Sequence, residues 1–135
     1  MTTITRPTAK ILHAEDSDDD AFVVKRALSE IGVDLNVIRV TNGMQALMYL
    51  RDNPPPDLLL LDLKMPALDG FDVLVTIRAR PELKELPVIV LTASDVPKDR
   101  EMADQFGATD YIEKNQDWKI VAKALKSSLR RMLGT

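Results

Sequence analysis

The sequence predicts an α/β fold in which five parallel strands form a sheet with helices on both faces. Short apolar runs alternate along the chain with segments whose apolar residues recur at helical spacing. Such alternation is typical of parallel strands joined by crossover helices. The run Leu58 to Leu61 is apolar at every position, as expected for a central strand covered on both faces. A chain of 135 residues fits one such domain and leaves little room for another.

The strands are predicted from short apolar runs bounded by charged or turn-forming residues. The first run contains His13, which we expect in the core, and ends at two acids. The second run is rich in β-branched residues, the third follows three prolines, and the fourth begins after Pro87. The predicted strands are Ile11 to Ala14, Leu35 to Val40, Leu58 to Leu61, Val88 to Leu91 and Thr109 to Ile112.

The first two helices have recognisable beginnings and ends. Ser17 is a suitable N-cap, and the acids Asp18 to Asp20 favour the positive end of the first helix, which Gly32 ends. Asn42-Gly43 opens the second helix, and the prolines after Asn53 end it. The faces predicted to pack inward are Val24, Ala27, Leu28 and Ile31, followed by Met44, Leu47 and Met48.

The other three helices follow the third, fourth and fifth strands. The third begins after Asp69-Gly70 and ends at Pro81, and the fourth runs from about Pro97 to Phe106, where Gly107 ends it. The last helix is amphipathic and has a basic outer face, which we interpret as solvated. The predicted inner faces are Phe71, Leu74 and Val75, followed by Trp118, Val121, Ala122, Leu125, Leu129 and Met132.

The composition argues against several classes of function. The net charge of -3 disfavours a nucleic-acid binder, and the absence of cysteine excludes thiolate nucleophiles and Cys-based zinc sites. No apolar run approaches the roughly 20 residues of a membrane span, and Met1 to Lys10 lacks the apolar centre of a signal peptide. We predict a cytoplasmic protein in which residues 1–9 form a disordered leader.

Charged and polar residues stand where four of the predicted strands end. Glu15 and Asp16 follow the first strand, Asp62 the third, Thr92 the fourth and Lys114 the fifth. Parallel strands place these ends on one edge of the sheet, where such folds bind ligands. Three carboxylates in one pocket repel one another, and a hard divalent cation such as Mg²⁺ removes that repulsion. An aspartate beside such a cation and a lysine can act as a nucleophile toward a phosphoryl group.

In their order and spacing these residues resemble the receiver domain of bacterial response regulators, over about Lys10 to Leu133. The resemblance implies a flavodoxin-like sheet of order 2-1-3-4-5, a receiver domain at residues 10–133 and no output domain, as in single-domain chemotaxis regulators. It implies a signalling switch that catalyses its own phosphorylation and slow dephosphorylation and is no turnover enzyme. The matching pieces are Ile11 to Asp16, Leu58 to Asp62, Met65-Pro66 with Asp69-Gly70, Val90 to Ser94 and Tyr111 to Lys114.

The resemblance implies a role for each matching residue at the site. Asp62 would accept a phosphoryl group from a sensor histidine kinase or a histidine phosphotransfer protein. One Mg²⁺ (or Mn²⁺) would be bound by the side chains of Asp16 and Asp62 and by the backbone carbonyl of Lys64. Glu15 would act on the metal partly through water, and Lys114 would contact both the phosphoryl group and Asp62.

The resemblance also implies how a signal leaves the site. Thr92 would move toward the phosphoryl group, for which the small Ala93 leaves room, and Tyr111 would turn inward behind it. This shift would remodel the face formed by the fourth helix, the fifth strand and the last helix. A downstream protein, or a second copy in a homodimer, would bind that face.

One residue departs from the family pattern. The family usually has proline directly after the lysine, often with a cis bond before it, where this chain has Asn115. Because a cis bond before a non-proline residue costs about 2.5–4 kcal/mol, we expect a trans bond there and a different loop path.

Two other functions are alternatives to a phosphorylated receiver. One is a degenerate receiver that acts only as a docking module, and the other is a flavin carrier or Asp-nucleophile phosphatase. The acidic loop after the first strand would repel a flavin phosphate, and no segment remains for a phosphatase cap.

Overall fold

The computed structural model describes residues 9–31, 35–66 and 68–133, in which five strands form a single sheet of order β2-β1-β3-β4-β5. Every neighbouring pair of strands is parallel, so the predicted fold class and strand order are confirmed. The elements in chain order are β1 (Ala9–Ala14), α1 (Asp18–Ser29), β2 (Leu35–Val40), α2 (Gly43–Asp52), β3 (Leu58–Leu61), α3 (Gly70–Ala79), a 3₁₀ turn (Pro81–Leu83), β4 (Val88–Thr92), α4 (Pro97–Gln105), β5 (Asp110–Glu113) and α5 (Trp118–Leu133).

Apolar layers cover both faces of the sheet. Alternate residues of the central strands point to opposite faces, so that Leu12 packs toward α2 and α3 whereas Ile11 packs toward α1 and α5. All four residues of β3 are buried, as its continuously apolar sequence predicts. The core therefore encloses the strands on both sides and leaves their carboxyl ends accessible only along one edge.

Side-chain caps fix three helices directly after the loops at this edge. The Ser17 side chain accepts a hydrogen bond from the Asp20 backbone N–H at 3.2 Å and begins α1. Asn42 accepts one from the Gln45 N–H at 2.8 Å, and Asp69 accepts one from the Asp72 N–H at 3.0 Å. The loops after β1, β2 and β3 are thereby held at their helical ends.

The inner faces of α2 and α3 differ from those predicted. Met44 (51% exposed), Met48 (47%) and Val75 (48%) point to solvent, so their predicted inward packing is wrong. The inner face of α2 consists of Gly43, Ala46 and Leu50, and that of α3 includes Val73 and Ile77. Each misassigned residue is next to an inward-facing residue in the chain. Because successive helical residues are rotated about the helix axis, its own side chain points away from the sheet.

Several element boundaries also differ from the prediction. Ala9, which the sequence placed in the leader, is the first residue of β1 because it pairs with Leu35 of β2. Strand β5 begins at Asp110 rather than at Thr109. The rest of the predicted leader and Gly32 lie outside the described residues.

His13 is buried in β1, so its predicted place in the core is confirmed. Burial, with the nearby charges of Lys114 and Arg39, lowers the pKa of the imidazole to about 4.

Within the three described ranges, no helix has the length and apolar character needed to cross a membrane.

Candidate functional site

The carboxyl edge of the sheet brings together groups that are far apart in the chain. Glu15 and Asp16 follow β1, Asp62 follows β3 and Lys114 follows β5, and the strands are all parallel. Backbone hydrogen bonds fix these segments to one another: the Asp62 N–H donates to the Ala14 carbonyl at 3.1 Å, and the Lys114 N–H donates to the Thr92 carbonyl at 2.7 Å. The predicted convergence of the strand ends is therefore present.

Lys114 lies at the centre of the charged groups. Its Nζ donates hydrogen bonds to Asp62 Oδ2 at 3.0 Å and to Asp20 Oδ2 at 2.8 Å. It also lies 2.7 Å from Glu15 Oε1. Burial alone would lower the pKa of the ammonium, but the three carboxylates outweigh that effect and raise the pKa above its ordinary value. Lys114 is therefore a fixed positive charge beside Asp62.

Asp20 belongs to this charged group although the sequence did not indicate it. The residue sits in the first turn of α1, where acids are common because of the helix dipole, and the sequence predicts that role for all three consecutive acids. Its carboxylate instead contacts Lys114, 94 positions further along the chain. All side chains of the first turn lean toward the helix N-terminus, so position in the sequence alone does not distinguish Asp20 from Asp18 and Asp19.

Glu15 is a fully buried acid with an unusual environment. One of its carboxylate oxygens, Oε2, accepts a hydrogen bond from the Ser17 N–H at 3.2 Å. The other, Oε1, is close enough to Lys114 for an ion pair but makes no contact with hydrogen-bond geometry. Burial raises the pKa of the Glu15 carboxyl to about 7; the negative charge of Asp62 adds to this rise, and Lys114 opposes it.

The acids at this edge form a group suited to a divalent cation. Glu15, Asp16 and Asp62 each offer a carboxylate oxygen, and these oxygens all lie within 4.8 Å of one another. Carboxylate oxygens are the ligands that Mg²⁺ and Mn²⁺ prefer. The buried Glu15 Oε1 has Lys114 as an ion-pair partner but makes no hydrogen bond, so it can also bind a cation. The donor set therefore fits a hard divalent metal. Lys64, the predicted carbonyl ligand, donates its N–H to Asp62 Oδ1 at 3.3 Å.

The residues after β4 line the other side of the site. Thr92 and Ser94 are buried, whereas Ala93 is exposed and lines a cavity of about 250 Å³ together with Lys114 and Asn115. Ala93 and Lys114 thus border the same open space. The Thr92 hydroxyl oxygen accepts a hydrogen bond from the Ser94 N–H at 3.4 Å.

Tyr111 connects the site to α4. Its hydroxyl donates a hydrogen bond to the Ser94 carbonyl at 3.0 Å, and the guanidinium of Arg100 lies 4.7 Å from the ring centroid. The Ser94 hydroxyl in turn donates to Asp99 Oδ2 at 2.5 Å. The side chain predicted as a switch therefore contacts the loop between β4 and α4 directly.

The loop after Lys114 has a path that does not need proline. No peptide bond among the described residues is cis, as expected with Asn115 in this position. The Asn115 side chain accepts a hydrogen bond from the Asp117 N–H at 2.9 Å, and Asp117 Oδ1 accepts one from the Lys119 N–H at 3.0 Å. Two successive hydrogen bonds from backbone N–H groups to the Asn115 and Asp117 side chains thus define the path of the chain between Lys114 and α5.

Comparison with known proteins identifies the class. The family model of the response regulator receiver domain matches residues 11–126. The response regulator Rcp1 of Synechocystis sp. is 32% identical over 132 residues, which cover 93% of this chain and 90% of that protein.

Solved structures show the same relationship. The crystal structure of the Mn²⁺-bound form of Rcp1 superposes with a TM-score of 0.82 at 32% identity, covering 94% of this chain and 96% of that one. The phosphorylated cyanobacterial phytochrome response regulator RcpA gives 0.84 at 32% identity, covering 94% and 95% of the two chains. The chain belongs to the receiver domain family of two-component response regulators. Receiver domains are signalling modules that histidine kinases phosphorylate, and they are not turnover enzymes.

Proposed function

We propose that this protein accepts a phosphoryl group on Asp62 and signals through the conformational change that follows. The observation that carries the proposal is the position of the Asp62 carboxylate. It is buried at the end of the central strand, 3.0 Å from the Lys114 ammonium, and shares an acidic cluster with Glu15 and Asp16. A carboxylate that is held between a fixed cation and a metal-binding group is equipped for nucleophilic attack on phosphorus.

In the transfer step an oxygen of Asp62 forms a bond to phosphorus while the bond from phosphorus to the donor's histidine nitrogen breaks. The electron pair of the broken bond stays on that nitrogen, and the product is an acyl phosphate. Lys114 offsets negative charge on the phosphoryl oxygens in the transition state. Thr92 offers a hydroxyl to one of these oxygens, and the open space at Ala93 admits the group. Mg²⁺ or Mn²⁺, held by Glu15, Asp16, Asp62 and the Lys64 carbonyl, would neutralise further charge when bound.

The proposed output runs from Thr92 and Tyr111 to the face formed by α4, β5 and α5. The contact of Tyr111 with the Ser94 carbonyl supports this route, because any movement of the segment after β4 changes that contact. The partners we propose are a sensor histidine kinase or phosphotransfer protein as donor and a downstream protein, or a second copy in a homodimer, at that face. A cytoplasmic location and a receiver domain at residues 10–133 remain part of the proposal.

The proposal is tested by phosphorylation from a small donor. Purified protein is incubated with phosphoramidate in the presence and absence of MgCl₂, and intact mass is measured. We expect the wild-type chain to gain one phosphoryl group only with the metal, and Asp62→Asn to gain none. Asp57→Asn is the matched control, because Asp57 is exposed just before the same strand and bonds to the backbone of Lys10. Full labelling of Asp62→Asn would refute the site; a wild-type chain that is never labelled would favour the docking module.

A further inference from the structure

Arg39 reaches from β2 across to the segment that carries two of the proposed metal ligands. It lies opposite His13 in the register of β1 and β2. Its Nε donates a hydrogen bond to the backbone carbonyl of Glu15 at 3.0 Å, and its Nη1 donates one to Asp18 Oδ1 at 2.6 Å. No pattern in the sequence indicates that this arginine belongs to the site.

The hydrogen bond from Arg39 to the Glu15 carbonyl explains the half-buried position of the arginine better than its ion pair with Asp18 does. The Asp18 side chain is 91% exposed, and an ion pair with such a partner contributes little stability. The Arg39 side chain is only 30% exposed, and its Nη2 is buried without a hydrogen-bond partner. Burying part of a guanidinium is costly, and the hydrogen bond from Nε to the Glu15 carbonyl is the contact in this half-buried position that offsets the cost.

Strand β2 holds Glu15 at both of its backbone polar groups. The Glu15 N–H donates to the Val40 carbonyl at 2.9 Å, and the Glu15 carbonyl accepts from Arg39. Because the Glu15 carbonyl belongs to the peptide that joins Glu15 to Asp16, the guanidinium fixes the plane from which both side chains project. Glu15 and Asp16 are two of the three members of the acidic cluster.

We infer that Arg39 is a positioning residue for the divalent cation, acting through the Glu15 carbonyl on the orientation of the Glu15 and Asp16 carboxylates. The inference rests on the proposed function, because it presupposes that the acidic cluster binds a metal. Groups that orient metal ligands typically contribute about 10–100-fold to metal affinity.

Positioning and charge predict opposite results when Arg39 is replaced. Removing a positive charge near an acidic cluster, and freeing Asp18 from its partner, would on electrostatic grounds alone strengthen Mg²⁺ binding. Losing the bond that orients the ligands weakens it. The sign of the change therefore separates the two effects.

The test is a titration of ¹⁵N-labelled protein with MgCl₂, followed by amide chemical shifts, which also report whether each variant is folded. We expect Arg39→Met to bind Mg²⁺ about tenfold more weakly than wild type, the lower end of the usual range. Arg39→Lys keeps the charge but not the planar fork, and we expect it to bind about threefold more weakly. If Arg39→Met does not fold, the affinity of Arg39→Lys for Mg²⁺ tests the inference on its own.

Two controls locate the effect. Arg51→Met removes an exposed arginine of α2 that pairs with Asp52, and it should leave the affinity unchanged. Asp18→Asn keeps the bond to the Glu15 carbonyl, and it should stay within about twofold of wild type. Equal or tighter binding by both Arg39 variants overturns the inference while the proposed function stands. Absence of Mg²⁺ binding by the wild-type chain instead refutes the metal site itself.

Discussion

At the scale of single residues, the site is a balance between one ammonium and several carboxylates. Lys114 is the only basic side chain within ion-pair distance of Glu15, Asp20 and Asp62 among the described residues. Glu15 and Asp62 are buried, so without Lys114 they would face each other in a poorly solvated pocket. Burial, aided by the negative charge of Asp62, raises the pKa of Glu15 although Lys114 opposes the rise. For Lys114, burial lowers the pKa, but the three carboxylates outweigh it and raise the pKa.

Replacing Lys114 should therefore destabilise the metal-free protein. We expect Lys114→Met to lower the free energy of unfolding by about 3 kcal/mol at neutral pH, because it leaves buried carboxylates unpaired. Adding MgCl₂ should restore more stability to this variant than to wild type, since the cation takes over the role of the ammonium. Urea unfolding with and without MgCl₂ measures both effects, and Lys123→Met on the exposed side of α5 is the control. Equal unfolding free energies for Lys114→Met and wild type would contradict this account.

The residues that could be predicted at this scale are those that end a strand. Glu15, Asp16, Asp62 and Lys114 were predictable because the direction of parallel strands alone brings their ends to one edge. Asp20 and Arg39 were not, because their contacts depend on the rotation of α1 and on a long side chain that crosses between two strands. No periodic pattern in the sequence encodes such contacts.

At the scale of elements, the beginning of α3 is fitted closely against the segment that carries Asp62. The Gly70 N–H donates to the Leu63 carbonyl at 3.0 Å. A Cβ atom on Gly70 would lie 2.4 Å from the Asp62 carbonyl oxygen and 2.7 Å from the Leu63 Cα. Only glycine lets the helix approach the segment that carries Asp62 this closely.

An alanine at position 70 should act against the usual trend for helices. Glycine to alanine in a helix ordinarily stabilises by roughly 0.5–1 kcal/mol. We expect Gly70→Ala to destabilise instead, by about 1–3 kcal/mol, because the methyl group displaces backbone atoms that cannot yield easily. Labelling of Asp62 by phosphoramidate should fall in parallel. Thermal and urea unfolding measure the first effect, with Thr76→Ala in the same helix as control; a more stable Gly70→Ala protein would show that the contact is not tight.

Helix positions were predictable from the sequence, but two helix orientations were not. Ser17 was predicted as an N-cap, and its side chain has the hydrogen bond typical of one. The predicted opening of the second helix at Asn42-Gly43 is also correct. The inner faces of α2 and α3 were wrong because Met44, Met48 and Val75 are apolar residues on outer faces. An apolar residue next to the true inner face satisfies helical spacing equally well, and only the contacts with the sheet decide between the two.

At the scale of the whole molecule, α5 closes the fold against β5. Asp110 of β5 accepts a hydrogen bond from Arg131 near the end of α5 and another from the Tyr111 N–H at 2.8 Å. Burial would raise the pKa of the Asp110 carboxyl, but the nearby Ser128 hydroxyl, the Tyr111 N–H and Arg131 together outweigh it and hold the pKa below its ordinary value. The carboxylate thus ties the last helix to the last strand of the sheet.

This contact should give a small acid dependence of stability. A carboxyl whose pKa is lowered by folding contributes stability above its unfolded pKa of about 4, and the contribution is lost as the pH falls through the folded value. We expect Asp110→Asn to cost up to about 1 kcal/mol at pH 7, since Arg131 is largely exposed, and to cost nothing at pH values below both pKa values. Urea unfolding across this pH range provides the test, with the exposed Asp104→Asn as control. A cost that stays constant down to the lowest pH would contradict the assignment.

The architecture as a whole was more predictable than any of its surfaces. Alternation of strand and helix patterns predicts a parallel sheet, and strand bounds were correct to within about two residues because apolar runs end where the core ends. The α4, β5 and α5 face carries no comparable pattern. Its contacts, such as Arg100 over the ring of Tyr111, arise from side chains that the sequence gives no reason to pair.

The central claim is that one divalent cation binds between the ends of β1 and β3, next to Asp62. The most direct test is titration of ¹⁵N-labelled protein with Mn²⁺, whose unpaired electrons broaden the amide signals of nearby residues. Broadening should be strongest at Glu15, Asp16, Asp62 and Lys64, and it should disappear in Asp16→Asn at the same Mn²⁺ concentration. Broadening centred on any other part of the chain, or equally strong in Asp16→Asn, would contradict the claim.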